Sequence, residues 1–262
     1  MKAITREEKI MSGENLTPIT REEMFLAKAA GQDVETPTPI TRREMFLSKI
    51  GGSSGGGSGG GDEGDIGAEK YIEGRHAEVV LPNAESIKPY AFYKDKTITQ
   101  ITMPKVKSIG SYAFEECSNF ALTSLPSGLT SVGNRGFYKC TSLALTSLPN
   151  GLTSIGTAAF SNCPKLVLTS LPSGITSIGE HAFESCSNLA LTSLPSGITS
   201  IGDSAFYACT NLALTSLPSG ITSIGDGAFY KCTNLSSLTF KGTPTSISNK
   251  AFNACTNLLT IN

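Results

Sequence analysis

ALTSLPSGITSIG occupies residues 190–202, and the same thirteen letters return unchanged at 213–225. Within the copy, Leu191, Leu194, Ile198 and Ile201 fall three to four residues apart, a spacing that suits short strands joined by bends. Pro195 followed by Ser196 and Gly197 marks a turn between two such strands. Gly202 opens a further turn, and the letters after it predict a short helical or 3₁₀ piece holding Ala205, Phe206 and Cys209.

Outward from this unit the chain is periodic. Phe92, Phe114, Phe137, Phe160, Phe183, Phe206, Phe229 and Phe252 are spaced by 22 residues once and by 23 six times. In a stacked array each unit buries its apolar face against the units before and after it, so identical side chains meet at every level. Copying one segment is the simplest way to fill such a core. Parallel strands repeat every 4.7–4.9 Å, so eight units make a rod of roughly 40 Å. The expected fold for residues 68–262 is a leucine-rich repeat solenoid of short parallel strands and short helical or 3₁₀ turns. The end units depart from the pattern: Asp95 stands where a cysteine would, Lys88-Pro89 replaces the glycine turn, and Ser248 replaces glycine near the end. Atypical ends are expected where a solenoid must cap a bare sheet edge.

All seven cysteines, Cys117, Cys140, Cys163, Cys186, Cys209, Cys232 and Cys255, follow their phenylalanine by three. An odd row stacked along one vector is poorly placed for disulfides, which need side chains aimed at each other. Reduced, buried cysteines acting as small hydrophobes are expected instead.

Residues 1–50 read differently. AITREEKIMSG (3–13), PITREEMFLAKAAGQ (18–32) and PITRREMFLSKIGG (39–52) each set a threonine (Thr5, Thr20, Thr41) three residues before a glutamate (Glu8, Glu23, Glu44). That is capping-box spacing, and Ile19 with Met24, like Ile40 with Met45, occupies staple positions. Three short helices are expected, with Phe25 and Phe46 beside the staples as docking side chains. Helices of three turns are marginal alone and need something to lean on. GGSSGGGSGGG (51–61) reads as a flexible coil of roughly 18–20 Å end to end, so the division expected is an anchoring segment 1–50, a linker 51–67 and the solenoid 68–262.

Only 16% of residues are charged, with 21 basic against 22 acidic and no Lys/Arg block, so the field that draws nucleic acid is missing. MKAITREEKIMSG at the start lacks an apolar signal core, and no stretch approaches eighteen apolar residues. Neither a secretory precursor nor membrane insertion is expected.

The pattern C-x-x-L, L-P-x-x-[IVL]-x-x-I-G-x-x-A-F-x-x-C resembles the BspA-like leucine-rich repeat family over residues 68–262. The resemblance implies a curved right-handed solenoid used on bacterial surfaces for adhesion and recognition, without enzymatic activity. The segments TPITREEMFLAKAAGQ and TPITRREMFLSKIGG are similar to short repeats near the N-termini of head or tail fibre proteins in phages and prophages of Gram-positive bacteria. This second likeness implies a virion protein that docks on a head or tail protein through residues 1–50, with homo-oligomerisation through the same helices. A virion protein released by lysis needs no secretion signal; a cell-surface adhesin of the BspA-like type is the alternative.

Chemistry is sparse. His76 and His181 lie over 100 residues apart with no ligand-spaced carboxylate or cysteine, which favours surface histidines over a metal or catalytic pair. No GxSxG, HExxH, P-loop or CxxC occurs, so neither catalysis nor a cofactor is expected.

The letters that vary between units lie between the Gly and Ala and just after the Phe. They present Tyr112, Arg135, Tyr138, Lys139, His181, Glu184, Tyr207, Tyr230 and Lys231. Either this face varies because solvent leaves it unconstrained, or its tyrosines and arginine form a recognition surface for a host cell-surface protein or glycan. The row Thr123, Thr146, Thr169, Thr192 and Thr215 is likewise either a soluble edge or a set of hydroxyls for a sugar.

Overall fold

The computed structural model describes residues 65–66 and 77–261, all within the unit Ser53–Asn262. The N-terminal helices expected around Ile19, Met24, Phe25, Ile40, Met45 and Phe46, and the Gly/Ser run, lie outside the described residues.

The repeat forms a succession of edges on each coil, and the first is a ladder of two-residue strands. Asp65–Ile66, Ser86–Ile87, Ser108–Ile109, Ser131–Val132 and Ser154–Ile155 pair in parallel. Ser177–Ile178, Ser200–Ile201, Ser223–Ile224 and Ser246–Ile247 form a second parallel set. Partners stand one repeat apart, Ser200 opposite Ser223 and Ile201 opposite Ile224. In Ser200–Ile201 and Ser223–Ile224 the side-chain period of two puts the serine outside and the isoleucine inside, which pins the register, while Ile247 of the last strand is exposed. Beside the ladder, Thr130, Thr153, Thr199, Thr222 and Thr245 each donate their hydroxyl to a backbone carbonyl of the preceding coil.

A second edge carries strands only toward its ends: Glu78–Val80 with Gln100–Thr102, and Ser216–Leu217, Ser237–Phe240 and Thr260–Ile261. In the coils between, one or two bonds join neighbours, such as Ala144 N–H to Leu122 O at 3.0 Å. The proline of each L-P step has no N–H to extend the pairing.

The third edge corrects the sequence reading. Where a short helical or 3₁₀ piece was expected after Gly202, the chain makes consecutive turns, and no helix occurs among the described residues. Ala205 N–H reaches Gly202 O at 3.3 Å and Cys209 N–H reaches Phe206 O at 3.1 Å. Ser204 and Ala208, third in these turns, have φ of 53° and 55°, the type II pattern. The amides of Ser204, Phe206 and Ala208 donate to Asp226, Ala228 and Tyr230 of the following coil at 2.7–2.8 Å. Alternate amides are thus spent between coils, and a helix, which spends them within the segment, is excluded.

Inside, the phenylalanine column is a continuous stack from Phe92 to Phe252, with centroids 4.9–5.7 Å apart and planes within 14°. Near-parallel rings at that separation are offset rather than face to face, the arrangement their quadrupoles favour. Six of the seven cysteines are buried and all are free thiols; Cys255 is half-buried in the last coil. Gly202 allows the close approach of coils: a Cβ there would lie 2.7 Å from the backbone nitrogen of Glu180.

Candidate functional site

Because the turn edge repeats on every level, its outward side chains form columns. One column, two residues after the repeat glycine, runs Tyr90, Tyr112, Arg135, Ala158, His181, Ser204, Gly227. The next, directly after the phenylalanine, runs Tyr93, Glu115, Tyr138, Ser161, Glu184, Tyr207, Tyr230. Residues far apart in sequence meet by stacking.

In the first three coils these columns form one connected cluster. Tyr90 and Tyr112 stack at 4.8 Å with planes 3° apart, and Tyr93 meets Tyr90 edge-on at 5.6 Å. Arg135 continues the stack, its guanidinium carbon 5.9 Å from the Tyr112 ring centre and 4.8 Å from that of Tyr138. Lys139 lies 5.1 Å over Tyr138, and Lys94 lies 5.0 Å over Tyr93. A planar guanidinium between two rings takes the place a third ring would fill.

Carboxylates hold these cations. Arg135 Nη1 is 3.7 Å from Glu115 Oε1, and Glu116 draws in Lys139 at 3.8 Å and Lys94 at 4.0 Å. Glu115 is 5% exposed, so the column after the phenylalanines does not point uniformly to solvent as the sequence reading had it; Ser161 is buried too. Burial pushes the Glu115 carboxyl above its ordinary range, against the downward pull of Arg135. Its Oε2 has no hydrogen-bond partner among the described residues.

Of the nine residues singled out from sequence, the structure brings Tyr112, Arg135, Tyr138 and Lys139 together. Tyr207 and Tyr230 stack separately at 4.9 Å, with Lys231 5.5 Å over Tyr230. His181 stands between the groups, Nδ1 3.0 Å from Glu184 Oε2 and Nε2 3.3 Å from Glu180 Oε1. Sequence reasoning missed Tyr90, Tyr93, Lys94, Glu115 and Glu116 as parts of the cluster. The signal was present, since all five keep the same offsets from Phe92 and Phe114, but Pro89 hides the first repeat.

Next to this strip runs a groove of about 500 Å³. Lys96 and Lys139 flank Glu116, while Ser118, Thr141 and Asn162 supply hydroxyls and an amide. On another edge, Thr123, Thr146, Thr169, Thr192 and Thr215 are all exposed. Among the described residues no group of three or more His, Cys, Asp or Glu could hold a metal ion, and no helix is long and apolar enough to cross a membrane.

The BspA type leucine rich repeat region matches residues 85–213 and 189–262, in six copies. The chain belongs to this family. A T. pallidum leucine rich repeat protein is 32% identical, covering 63% of this chain and 80% of its own, with a TM-score of 0.54. A Bacteroides ovatus leucine-rich repeat protein is 25% identical over 70% of this chain and 62% of its own, with a TM-score of 0.47. One from Eubacterium ventriosum is 24% identical over 69% of this chain and 43% of its own, with a TM-score of 0.50. No curated protein matches the sequence. The BspA-type repeat is a non-enzymatic fold class whose surface suits recognition or adhesion.

Proposed function

We propose that this BspA-type chain is a recognition protein that adheres to an outside partner through the turn edge of its first three described coils. The carrying observation is the stack Tyr90, Tyr112, Arg135 and Tyr138, in which Arg135 pairs with Glu115 and Lys139, over the Tyr138 ring, pairs with Glu116. Tyrosine and arginine dominate contact energy at interfaces, and side chains already fixed by their neighbours lose little freedom on binding. Display on a bacterial cell surface fits the family. The test is binding of the whole chain to host cells or matrix protein: the double variant Arg135→Ser with Tyr138→Ser loses adhesion, while Tyr207→Ser with Tyr230→Ser keeps it. Equal adhesion by both variants would sink the assignment.

A second reading rests on the TPITREE and TPITRRE segments, whose likeness to fibre proteins favours a virion that carries the solenoid to a host surface. Residues 1–50 would then dock on a head or tail protein. Several copies on one particle would multiply weak contacts by about 10²–10⁴. Protease-accessible protein on intact producing cells supports the adhesin; protein in purified particles supports the virion.

A further inference from the structure

The groove beside the aromatic strip draws its lining from five successive coils, from Lys96 in the first to Ser185 in the fifth. At 4.7–4.9 Å per coil this is a run of about 20 Å, the proportion of a chain molecule laid along the coils rather than of a compact ligand. Pro164 is its one apolar member. The other side chains are two ammonium groups, one carboxylate, hydroxyls and an amide.

Much of that hydrogen-bonding capacity is unspent. Lys96 Nζ donates to the backbone carbonyl of Glu116, which leaves its other two N–H groups. Lys139 sits 3.8 Å from Glu116 Oε1, beyond hydrogen-bond length. The hydroxyls of Ser118 and Ser185 make no hydrogen bond among the described residues, whereas Thr141 donates to Ser118 O at 3.2 Å. Asn162 spends one amide N–H on Ser161 Oγ at 2.9 Å and keeps the other N–H and its carbonyl.

We infer that this groove binds a segment of an acidic polysaccharide whose charge is carried by carboxylates, of the uronic acid kind. Hydroxyls and the Asn162 amide match the hydroxyls of successive sugar rings, and Lys96 and Lys139 match carboxylates along the chain. Glu116 decides the anion. It accepts from sugar hydroxyls but repels crowded charge, so densely sulfated or phosphorylated chains are disfavoured. The wider surface steers the ligand to these coils: residues 166–230 contain no Lys or Arg but do contain Glu180, Glu184, Asp203 and Asp226. The groove shares Lys139 and Glu116 with the aromatic strip yet needs neither Tyr112 nor Tyr138, so it goes beyond the protein contact proposed above.

The experiment is calorimetric titration of the whole chain with polygalacturonate oligosaccharides, their methyl esters, and dextran sulfate of similar length. Polygalacturonate binds, the methyl ester does not, and dextran sulfate binds more weakly. Lys96→Gln with Lys139→Gln lowers affinity about tenfold or more, since each lost charge-assisted bond is a large share of a modest total. The control Lys105→Gln with Lys107→Gln removes the same net charge from outside the groove and leaves affinity unchanged. Glu116→Gln raises affinity for dextran sulfate. Equal binding of the methyl ester, tighter binding of dextran sulfate, or equal effects of the two lysine pairs overturns the inference. Arg135→Ser with Tyr138→Ser keeps polygalacturonate binding, so failure of the adhesion strip and failure of the groove are read separately.

Discussion

The thiol of Cys209 donates to the backbone carbonyl of Phe183 in the preceding coil, with Sγ 3.0 Å from the oxygen. The same carbonyl accepts from Cys186 N–H of its own coil at 3.2 Å. Both lone pairs of a buried oxygen are therefore used, one by the backbone and one by sulfur. The contact recurs from Cys117 to Cys255. Cysteine fits here because it is small and apolar yet keeps a weak donor. Asp95, in the coil before the first cysteine, instead accepts from the amides of Thr97 and Ile98 at 2.6 and 3.3 Å.

The cysteines should accordingly be inert in the folded protein. Burial pushes the thiols of Cys117 and Cys186 up to about 12, and it is the thiolate that reacts. Alkylation followed by mass spectrometry at pH 8 is expected to label half-buried Cys255 first, and all seven only in denaturant. Labelling of Cys163 before Cys255 would contradict the burial order. Cys209→Ala is expected to cost about 1–3 kcal/mol in chemical denaturation, for a small cavity and a lost bond to a buried carbonyl.

Two glycines at the same repeat position are expected to respond differently to alanine. At Gly202 the added methyl would meet the backbone of Glu180 at 2.7 Å, whereas at Gly179 the nearest atom is Ile155 O at 3.5 Å. The strand ladder is also interrupted between Ile155 and Ile178. Gly202→Ala should destabilise by about 1–3 kcal/mol or more, because backbone must move. Gly179→Ala should be close to neutral. Urea midpoints for the two variants check the contrast, and equal losses would refute it.

The Phe and Cys columns made the stacking legible, since a 23-residue spacing held for six intervals leaves few alternatives. The turn edge was misread for a physical reason: A-F-x-x-C has helical spacing, and only the neighbouring coil, which captures every second amide, decides for turns. The candidate site was half legible. Tyr112, Arg135, Tyr138 and Lys139 were found as varied letters, but that a carboxylate at Glu115 is buried among aromatic neighbours depends on which letters stand in the coils above and below. No single repeat contains that information.

Glu115 gives the stack a pH dependence. Its folded-state value lies above the ordinary carboxylate value, so between the two the folded chain holds a proton that the unfolded chain has released. Stability therefore falls as pH rises through that window and stays lower above it. Glu115→Gln removes the buried charge. The variant is expected to melt higher than the parent at pH 7 and to match it near about pH 3.5, below the ordinary value, where both are neutral. A variant that melts lower at pH 7 would mean that the 3.7 Å pairing with Arg135 outweighs burial.

The left-handed positions of the turn edge offer the last test. Ser204 and Gly227 occupy the same place in adjacent coils, with φ of 53° and 58°. A side chain costs about 1–2 kcal/mol in that conformation, and glycine escapes the cost at the expense of a more flexible unfolded chain. At Gly227 a Cβ would find only ordinary contacts, Ser204 Oγ at 3.6 Å and Tyr230 Cβ at 3.7 Å, so the backbone effect is isolated. Gly227→Ala is expected to lose about 1 kcal/mol in urea unfolding, and Ser204→Gly to gain a few tenths to about 1 kcal/mol. The two changes should have opposite signs with unchanged denaturant slopes. If both destabilise, the Ser204 hydroxyl or its neighbours contribute more than the backbone, and the turns are set by side chains rather than by the bonds between coils.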